Sequence, residues 1–272
     1  MRYMDYIRQD KLPTYWCAGC GYGQVMHAMA RAFEKLGFSL ENTVIVSGIG
    51  CWGGVDAFFR VNAFHGTHGR ALPVATGIKL ANPGLDVIVV MGDGDGVTIG
   101  GNHFIHAARR NVDLTAIVCN NYNYGMTGGQ YSSTTPPDSV TATSRYGHIE
   151  ESFDICQLAQ ATGASFVARS LSENVFQTMD LIVQGARKKG FSMIEVLSPC
   201  PTYYGRNNAM KAPAELYRQL KRLAVPIEAA DRMSQEQLMG KLLTGVLTNR
   251  ECVDYGTKYR ELLEKAQRGK ED

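Results

Sequence analysis

The sequence predicts an α/β protein with a mostly parallel β-sheet and helices on both of its faces. Short runs of apolar, largely β-branched residues alternate along the chain with segments of helical periodicity. These runs are continuously apolar, as expected for strands that are covered on both faces. A chain of 272 residues, of which 44% are hydrophobic, is long enough to bury the large core that such a sheet needs.

The predicted elements follow one another in βα order. Five strands are predicted, at residues 43–46, 86–90, 114–118, 166–168 and 193–197. Helices are predicted over 23–36 and 172–189, and Ser172 is the expected N-cap of the second. The segment 128–149 is aperiodic and rich in Ser, Thr, Pro and Gly, which predicts a long functional or mobile loop.

The final part of the sequence has a different character from the rest. After Tyr203 the chain becomes polar and charged, and helices are predicted at 214–223 and 236–247. We therefore divide the chain into a main domain, residues 1–205, and a C-terminal helical arm, residues 206–272. The arm is expected to pack on a partner or on the main domain.

The composition argues against two classes of partner. The 28 basic and 26 acidic residues nearly balance, so neither nucleic acid nor an anionic membrane is expected to bind. No apolar run approaches the roughly 20 residues of a membrane span. The first residues lack the charged head and apolar stretch of a signal peptide, so we expect a cytoplasmic protein.

Glycine and acidic residues follow two of the predicted strands. One strand runs into Gly92-Asp93-Gly94-Asp95, and the next runs into a segment that begins at Asn121. Glycines let the backbone approach a phosphate closely at a strand end. Asp93 and Asn121 offer the oxygen ligands that Mg²⁺ prefers. The spacing therefore predicts a site for a diphosphate that is bridged to the protein through magnesium.

Four of the seven cysteines occur in settings that suggest a metal centre. Cys17 and Cys20 form a close pair, and Cys51 and Cys200 each lie just beyond a predicted strand end. Four cysteines can hold a four-iron, four-sulfur cluster. Zinc on the same thiolates is the alternative. The other three cysteines, Cys119, Cys156 and Cys252, are expected to be packing or surface residues.

Six motifs that occur in order resemble the beta subunits of the 2-oxoacid:ferredoxin oxidoreductases. They are WCAGCGYG, GIGCWG, HGTHGRALPVATGIKLANP, GDGDG, NNYNYGMTGGQ and SPCPT. The resemblance extends from about Tyr15 to Asn208 and is nearest to the 2-oxoglutarate branch. It implies a thiamine-diphosphate-binding fold and a subunit of an oxidoreductase. Its reaction would be the coenzyme A-dependent oxidative decarboxylation of a 2-oxoacid, or the reverse, with electrons passed to ferredoxin.

The resemblance also implies which residues form the site. Mg²⁺ would be held by Asp93, the Asn121 side chain and the Asn123 carbonyl, and the cluster by Cys17, Cys20, Cys51 and Cys200. His68 is the candidate catalytic residue, whereas the roles of His65 and Arg70 stay open. The expected cofactor-binding residues are Gly21, Ile49, Gly50, Cys51, His68, Gly92, Asp93, Gly94, Asp95, Asn121, Asn123, Tyr124, Gly125, Met126 and Thr127.

The same resemblance implies that the chain works only as part of a complex. Its expected partners are an alpha or fused gamma-alpha subunit, ferredoxin, a 2-oxoacid and coenzyme A. A pyruvate-specific or broad 2-oxoacid enzyme is the alternative to a 2-oxoglutarate enzyme. Two other functions stay open at this stage: a thiamine-dependent lyase or synthase without a cluster, and a zinc-stabilised subunit that only binds a partner.

Overall fold

The computed structural model describes residues 1–210 and 212–268 of the chain. The strands in this part are β1 (Thr43–Ser47), β2 (Asn62–His65), β3 (Asp86–Gly92), β4 (Leu114–Asn120), β5 (Phe166–Leu171), β6 (Phe191–Leu197), β7 (Ala224–Pro226) and β8 (Leu242–Asn249). The α-helices are α1 (Tyr22–Leu36), α2 (Ala71–Ala81), α3 (Gly101–Arg110), α4 (Ile155–Thr162), α5 (Val175–Arg187), α6 (Pro213–Leu223), α7 (Ile227–Ala230), α8 (Gln235–Leu238) and α9 (Tyr255–Arg268).

The strands form one sheet in the order β2-β1-β3-β4-β6-β5-β8-β7. The first six strands in this order are parallel to one another. Strand β8 pairs with β5 in the antiparallel direction, and β7 pairs with β8 in the parallel direction. The predicted α/β class with a mostly parallel sheet is confirmed.

Successive side chains of the central strands enter two separate cores. Ile88 and Val90 of β3 pack in one core with residues of α1 and α5. Val87, Val89 and Met91 of the same strand pack in the other core, with residues of α2, α3 and α4. Because both faces are covered, the strands read as continuous apolar runs.

The register of the central strands brings the polar motifs to one edge of the sheet. Gly92 at the end of β3 pairs with Cys119 of β4, and Asn120 at the end of β4 pairs with Leu197 of β6. The segments that follow these strands therefore meet at the carboxyl end of the sheet. This edge is where ligands bind in parallel α/β sheets.

The structure differs from the sequence prediction at three elements. The helix predicted over 236–247 is wrong beyond Leu238, because residues 242–249 form strand β8. Ser172 does not cap α5; the helix begins three residues later, and the Ser172 hydroxyl is buried without a hydrogen-bond partner. Strand β2 was not predicted. No helix in residues 1–210 and 212–268 is long and apolar enough to span a bilayer.

Candidate functional site

A pocket opens at the carboxyl ends of β1, β3 and β4. It contains all the predicted cofactor-binding residues except Gly21, together with two aromatic residues that were not among them, Tyr22 and Trp52. Gly21 instead precedes α1 and packs against two buried serines. A Cβ atom at Gly21 would lie 2.2 Å from Ser172 Oγ and 2.4 Å from Ser198 Oγ, so only glycine fits there.

Asp93 is buried at the floor of this pocket. Its Oδ2 accepts hydrogen bonds from Ser132 Oγ at 2.6 Å and Thr134 Oγ1 at 2.7 Å. Its Oδ1 has only a long contact from the Asn121 backbone N–H, at 3.4 Å. Burial raises the pKa of Asp93, although these three donors oppose the shift. One carboxylate oxygen is thus well satisfied and the other is not.

Asp95 is the second buried carboxylate of the pocket. Its Oδ1 lies 2.5 Å from His68 Nδ1 and accepts a hydrogen bond from the backbone N–H of Gly69 at 2.7 Å. Its Oδ2 is buried without a partner. A Cβ atom at Gly48 would lie 1.8 Å from that oxygen, which explains the glycine there. The contact to Asp95 fixes the orientation of the His68 ring, which also packs edge-on against Tyr124.

The segment after β4 turns sharply at Tyr122, whose φ of 64° is left-handed. The turn places Asn121 and Asn123 side by side in the pocket. Asn123 Nδ2 donates to the Asn121 carbonyl at 3.0 Å, and Asn121 Nδ2 donates to the Tyr22 hydroxyl at 2.8 Å. Asn123 Oδ1 is buried without a partner. A non-glycine residue in this conformation is uncommon and often marks a functional site.

These oxygens fit a hard cation such as Mg²⁺. Asp93 and Asp95 are 1% and 2% exposed, and no lysine or arginine lines the pocket to compensate them. Buried carboxylates without a counter-charge are costly. A divalent cation on carboxylate and amide oxygens removes this cost and can bind a diphosphate.

A second cavity, of about 220 Å³, adjoins the first. A water molecule needs only about 10–15 Å³ of such space, so the cavity has room for a much larger group. All four cysteines that were predicted to bind the cluster line this cavity: Cys17, Cys20, Cys51 and Cys200. They come from three separate segments of the chain, as predicted.

The thiols in this cavity are close enough to influence one another. Burial raises the pKa of the Cys20 thiol to about 12, and Cys200, Cys51 and Cys17 add to the shift. Burial, with Cys200 and Cys17 nearby, raises the pKa of Cys51 to about 11. Several thiolates here are stable only when a cationic centre binds them. The Cys51 carbonyl accepts hydrogen bonds from Tyr15 Oη at 3.1 Å and Trp16 Nε1 at 2.6 Å, which fix its loop.

The spacing of these thiols fits a cluster better than a single zinc ion. In residues 1–210 and 212–268, only one set of three His, Cys, Asp or Glu side chains has ligand atoms that all lie within 4.8 Å of one another. That set is Asp154, Cys156 and Glu195. No three of the cavity's thiols are that close. Zinc with bonds of about 2.3 Å would require sulfur atoms closer together than this. A four-iron cluster holds its thiolates farther apart.

The two cavities share one wall. Five residues line both: Tyr22, Cys51, Asn121, Gly125 and Met126. A group in the first cavity is therefore separated from a group in the second by single side chains. Tyr22 is 2% exposed, and its hydroxyl binds the amide of Asn121.

The remaining sequence candidates lie outside both cavities. His65 lies on strand β2, and its Nδ1 is 2.9 Å from Asp56 Oδ2. Arg70 is an exposed residue at the start of α2. Cys119 is buried in β4 and Cys156 in α4, whereas Cys252 is exposed. Sequence reasoning missed Ser132 and Thr134, because hydroxyl residues in an aperiodic loop carry no distinctive pattern.

Comparison with known proteins identifies the family. Residues 48–196 match the family described as thiamine pyrophosphate enzyme, C-terminal TPP binding domain. The 2-oxoglutarate synthase subunit KorB of Methanocaldococcus jannaschii is 45% identical over 96% of this chain and 97% of its own length. That of Archaeoglobus fulgidus is 52% identical over 80% of both chains. The chain belongs to the family of 2-oxoacid:ferredoxin oxidoreductase beta subunits.

A solved structure of this oxidoreductase family has the same fold. It is the 2-oxoglutarate:ferredoxin oxidoreductase from Magnetococcus marinus with 2-oxoglutarate, coenzyme A and succinyl-CoA bound. The TM-score is 0.87 at 31% identity, and the match covers 98% of this chain and 91% of the other. The thiamine-diphosphate-binding fold that the motifs imply is therefore confirmed for this beta subunit.

Proposed function

We propose that this chain binds thiamine diphosphate, Mg²⁺ and a four-iron, four-sulfur cluster in a 2-oxoglutarate:ferredoxin oxidoreductase. The observation that carries the proposal is the shared wall between the oxygen-lined pocket and the thiol-lined cavity. A redox centre beside the thiamine site distinguishes an oxidoreductase from a thiamine-dependent lyase or synthase. It also gives the cysteines a purpose that a structural zinc ion would not have.

Each part of the pocket has a defined task in this proposal. Asp93, the Asn121 side chain and the Asn123 carbonyl hold the cation, and the cation binds the diphosphate. Bound thiamine diphosphate supplies the carbanion chemistry that removes CO₂ from a 2-oxoacid. Asp95 orients His68, so that the other ring nitrogen is available to a substrate carboxylate. Cys17, Cys20, Cys51 and Cys200 hold the cluster that conducts electrons to ferredoxin.

The proposed substrate is 2-oxoglutarate, in the presence of coenzyme A. Its support is the function for which the relatives are named and the ligands of the Magnetococcus marinus enzyme. Three cationic residues of this chain, His68, Arg70 and Arg206, are candidates to bind the distal carboxylate, and only His68 lines the pocket. Arg70 and Arg206 are exposed and lie outside both cavities. Part of the substrate site is thus expected on the alpha subunit. The proposed ferredoxin partner is consistent with a cytoplasmic complex.

The decisive experiment is an assay of the complex after co-expression of all its subunits. We expect reduction of ferredoxin or viologen that depends on coenzyme A and is faster with 2-oxoglutarate than with pyruvate. Faster turnover of pyruvate would assign the chain to the pyruvate or broad-specificity branch. Metal analysis should give about four irons per beta subunit. Zinc in place of iron would reject the cluster.

The metal site is tested by a single isosteric change. Asp93→Asn should abolish cation-dependent binding of thiamine diphosphate, measured by calorimetry, because an amide cannot replace the charge that holds the cation. Asp138→Asn, an exposed position in the following loop, is the control and should bind normally. Unchanged affinity in the Asp93 variant would remove this residue from the site.

A further inference from the structure

The loop 128–149 has buried contacts beneath the cation site. Ser132, Thr134 and Thr135 are each no more than 2% exposed. Thr135 Oγ1 donates to the carbonyl of Tyr122 at 2.6 Å, which fastens the loop to the turn after β4. This part of the loop is packed under the pocket and does not behave as a free lid.

We propose that Ser132 and Thr134 are positioning residues that orient Asp93 for the cation. The proposal rests on the Mg²⁺ site proposed above. Both hydroxyls donate to the same oxygen, Oδ2, at 2.6 and 2.7 Å, whereas Oδ1 has only one contact, at 3.4 Å. Two short bonds fix the plane of the carboxylate and direct Oδ1 toward the cation. Such outer partners typically change metal affinity by about 10–100-fold.

Thr134 lies at the end of a buried chain of polar groups. Arg169 binds Asp154 at 2.5 Å and Glu195 at 2.6 Å, and Glu195 accepts a hydrogen bond from Asn120 Nδ2 at 2.8 Å. Asn120 Oδ1 then lies 3.0 Å from Thr134 Oγ1. The Arg169 guanidinium binds both carboxylates of this chain.

The single proton of Thr134 has three possible acceptors. Asp93 Oδ2 is charged and 2.7 Å away, whereas Asn120 Oδ1 and Ser132 Oγ are neutral and each 3.0 Å away. Hydrogen bonds to charged acceptors are shorter and stronger, so the proton is donated to Asp93.

The test uses matched substitutions in the complete complex. Thr134→Val keeps the shape but removes the hydroxyl, and Thr134→Ser restores it. Thr141→Val is the control, because Thr141 is also 2% exposed and lies in the same loop, but its hydroxyl binds Ser144. Affinity for Mn²⁺ in the presence of thiamine diphosphate is measured from the room-temperature paramagnetic resonance signal of free Mn²⁺.

We expect Thr134→Val to bind Mn²⁺ about 10–100-fold more weakly than the parent. Thr134→Ser and Thr141→Val should bind like the parent. Ser132→Ala, which removes the other donor, should also weaken binding, and it replaces Thr134→Val if that variant does not fold. Parental affinity in both hydroxyl-deleted variants would overturn the inference, and so would an equal loss in Thr141→Val. If the parent itself bound no Mn²⁺ with thiamine diphosphate, the proposed function would fail as well.

Discussion

Tyr22 is the residue that connects the two cavities most directly. Its ring lines both, and its hydroxyl accepts a hydrogen bond from the amide of Asn121. Burial raises the pKa of Tyr22, so the hydroxyl stays neutral at physiological pH. Removal of this oxygen leaves the amide N–H without its acceptor in a buried site.

Tyr22→Phe should therefore weaken binding of thiamine diphosphate and lower stability by about 1–3 kcal/mol, the cost of an unsatisfied buried group. Tyr6→Phe is a matched control. Tyr6 is equally buried and its hydroxyl donates to the Phe38 carbonyl at 2.7 Å, but it lines neither cavity. Both variants should melt earlier, and only Tyr22→Phe should lose affinity in calorimetry. Equal affinity in the two variants would show that Tyr22 has no role at the site.

The cysteines divide into two groups that respond differently to substitution. Cys200→Ser should lose or convert the cluster, whereas Cys119→Ser should retain it. Cys119 is fully buried among apolar side chains, so a hydroxyl there costs about 1–3 kcal/mol of stability but removes no ligand. The measurement is iron and acid-labile sulfide per folded chain. A full complement of iron in Cys200→Ser would contradict the ligand assignment.

At the scale of elements, strand β8 ties the C-terminal segment to the main sheet. It pairs with β5, and Gln160 Nε2 of α4 donates to Leu247 O and Thr248 Oγ1. A chain that ends at residue 205 would expose the edge of β5, whose residues are all buried. We expect this truncated chain to aggregate or unfold. A chain that ends at Thr257 keeps β8 and loses exposed residues of α9, so it should stay folded, at a cost in urea unfolding no larger than that of a lost helix cap, about 0.5–2 kcal/mol.

Asp254 caps helix α9 and makes its stability depend on pH. Its Oδ1 accepts from the Thr257 N–H at 3.1 Å, and its Oδ2 accepts from the Thr257 hydroxyl at 2.6 Å. Burial alone would raise the pKa of Asp254, but these hydrogen bonds lower it below 3.8. The folded state therefore gains stability above pH 3.8, and this contribution is lost as the pH falls through the lowered value.

Asp254→Ala should cost about 0.5–2 kcal/mol at pH 7, as the loss of a helix cap does. The difference in unfolding free energy between this variant and the parent should shrink as the pH falls below 3.8. Asp231→Ala, at an exposed position, is the control and should show no such difference. A difference that stays constant down to low pH would contradict the assigned cap.

The central parallel strands could be predicted from sequence, but the strands at the edges of the sheet could not. Strands β1, β3 and β4 are continuous apolar runs, which leave little choice of structure. All four residues of β2 are exposed, so no buried pattern marks them. The segment Leu242–Asn249 has apolar residues at both helical and strand spacing. Its pairing with the distant β5 decides between the two, and this information is absent from the local sequence.

The same limit applies to the candidate site. Asp93, Asn121 and the four cysteines could be chosen because they follow strand ends or form a close pair. Gly21 was predicted as a cofactor-binding residue because it follows Cys20 in the sequence, but in the structure it packs against Ser172 and Ser198. Thr134 became visible only through its distance to Asp93, which depends on how the loop folds back.

At the scale of the whole molecule, exposed apolar side chains indicate a surface for a partner chain. Both cavities open to the surface, and large apolar side chains near the loop are exposed. Tyr146 and Ile149 are almost completely exposed, and Phe153 is half exposed. Apolar groups of this size exposed together mark an interaction surface. The family to which the chain belongs consists of subunits of larger oxidoreductases.

The chain purified alone should therefore show no sustained reduction of ferredoxin with a 2-oxoacid. Activity should appear when the alpha subunit is added, because that subunit is expected to supply the second half of the thiamine site. Thiamine diphosphate, Mg²⁺ and coenzyme A are present in both assays, so the added subunit is the one variable. Sustained turnover by the isolated chain would refute the requirement.

The shared wall of the two cavities has a thermodynamic consequence for the proposed enzyme. Tyr22, Cys51, Asn121, Gly125 and Met126 touch whatever occupies either side. Suppose that thiamine diphosphate binds ten times more tightly when the proposed cluster is reduced. Reciprocity then requires its binding to raise the one-electron reduction potential by about 59 mV. The potential of the proposed cluster would then depend on whether thiamine diphosphate is bound, and thiamine-loaded and thiamine-free preparations should be compared at the same electrode.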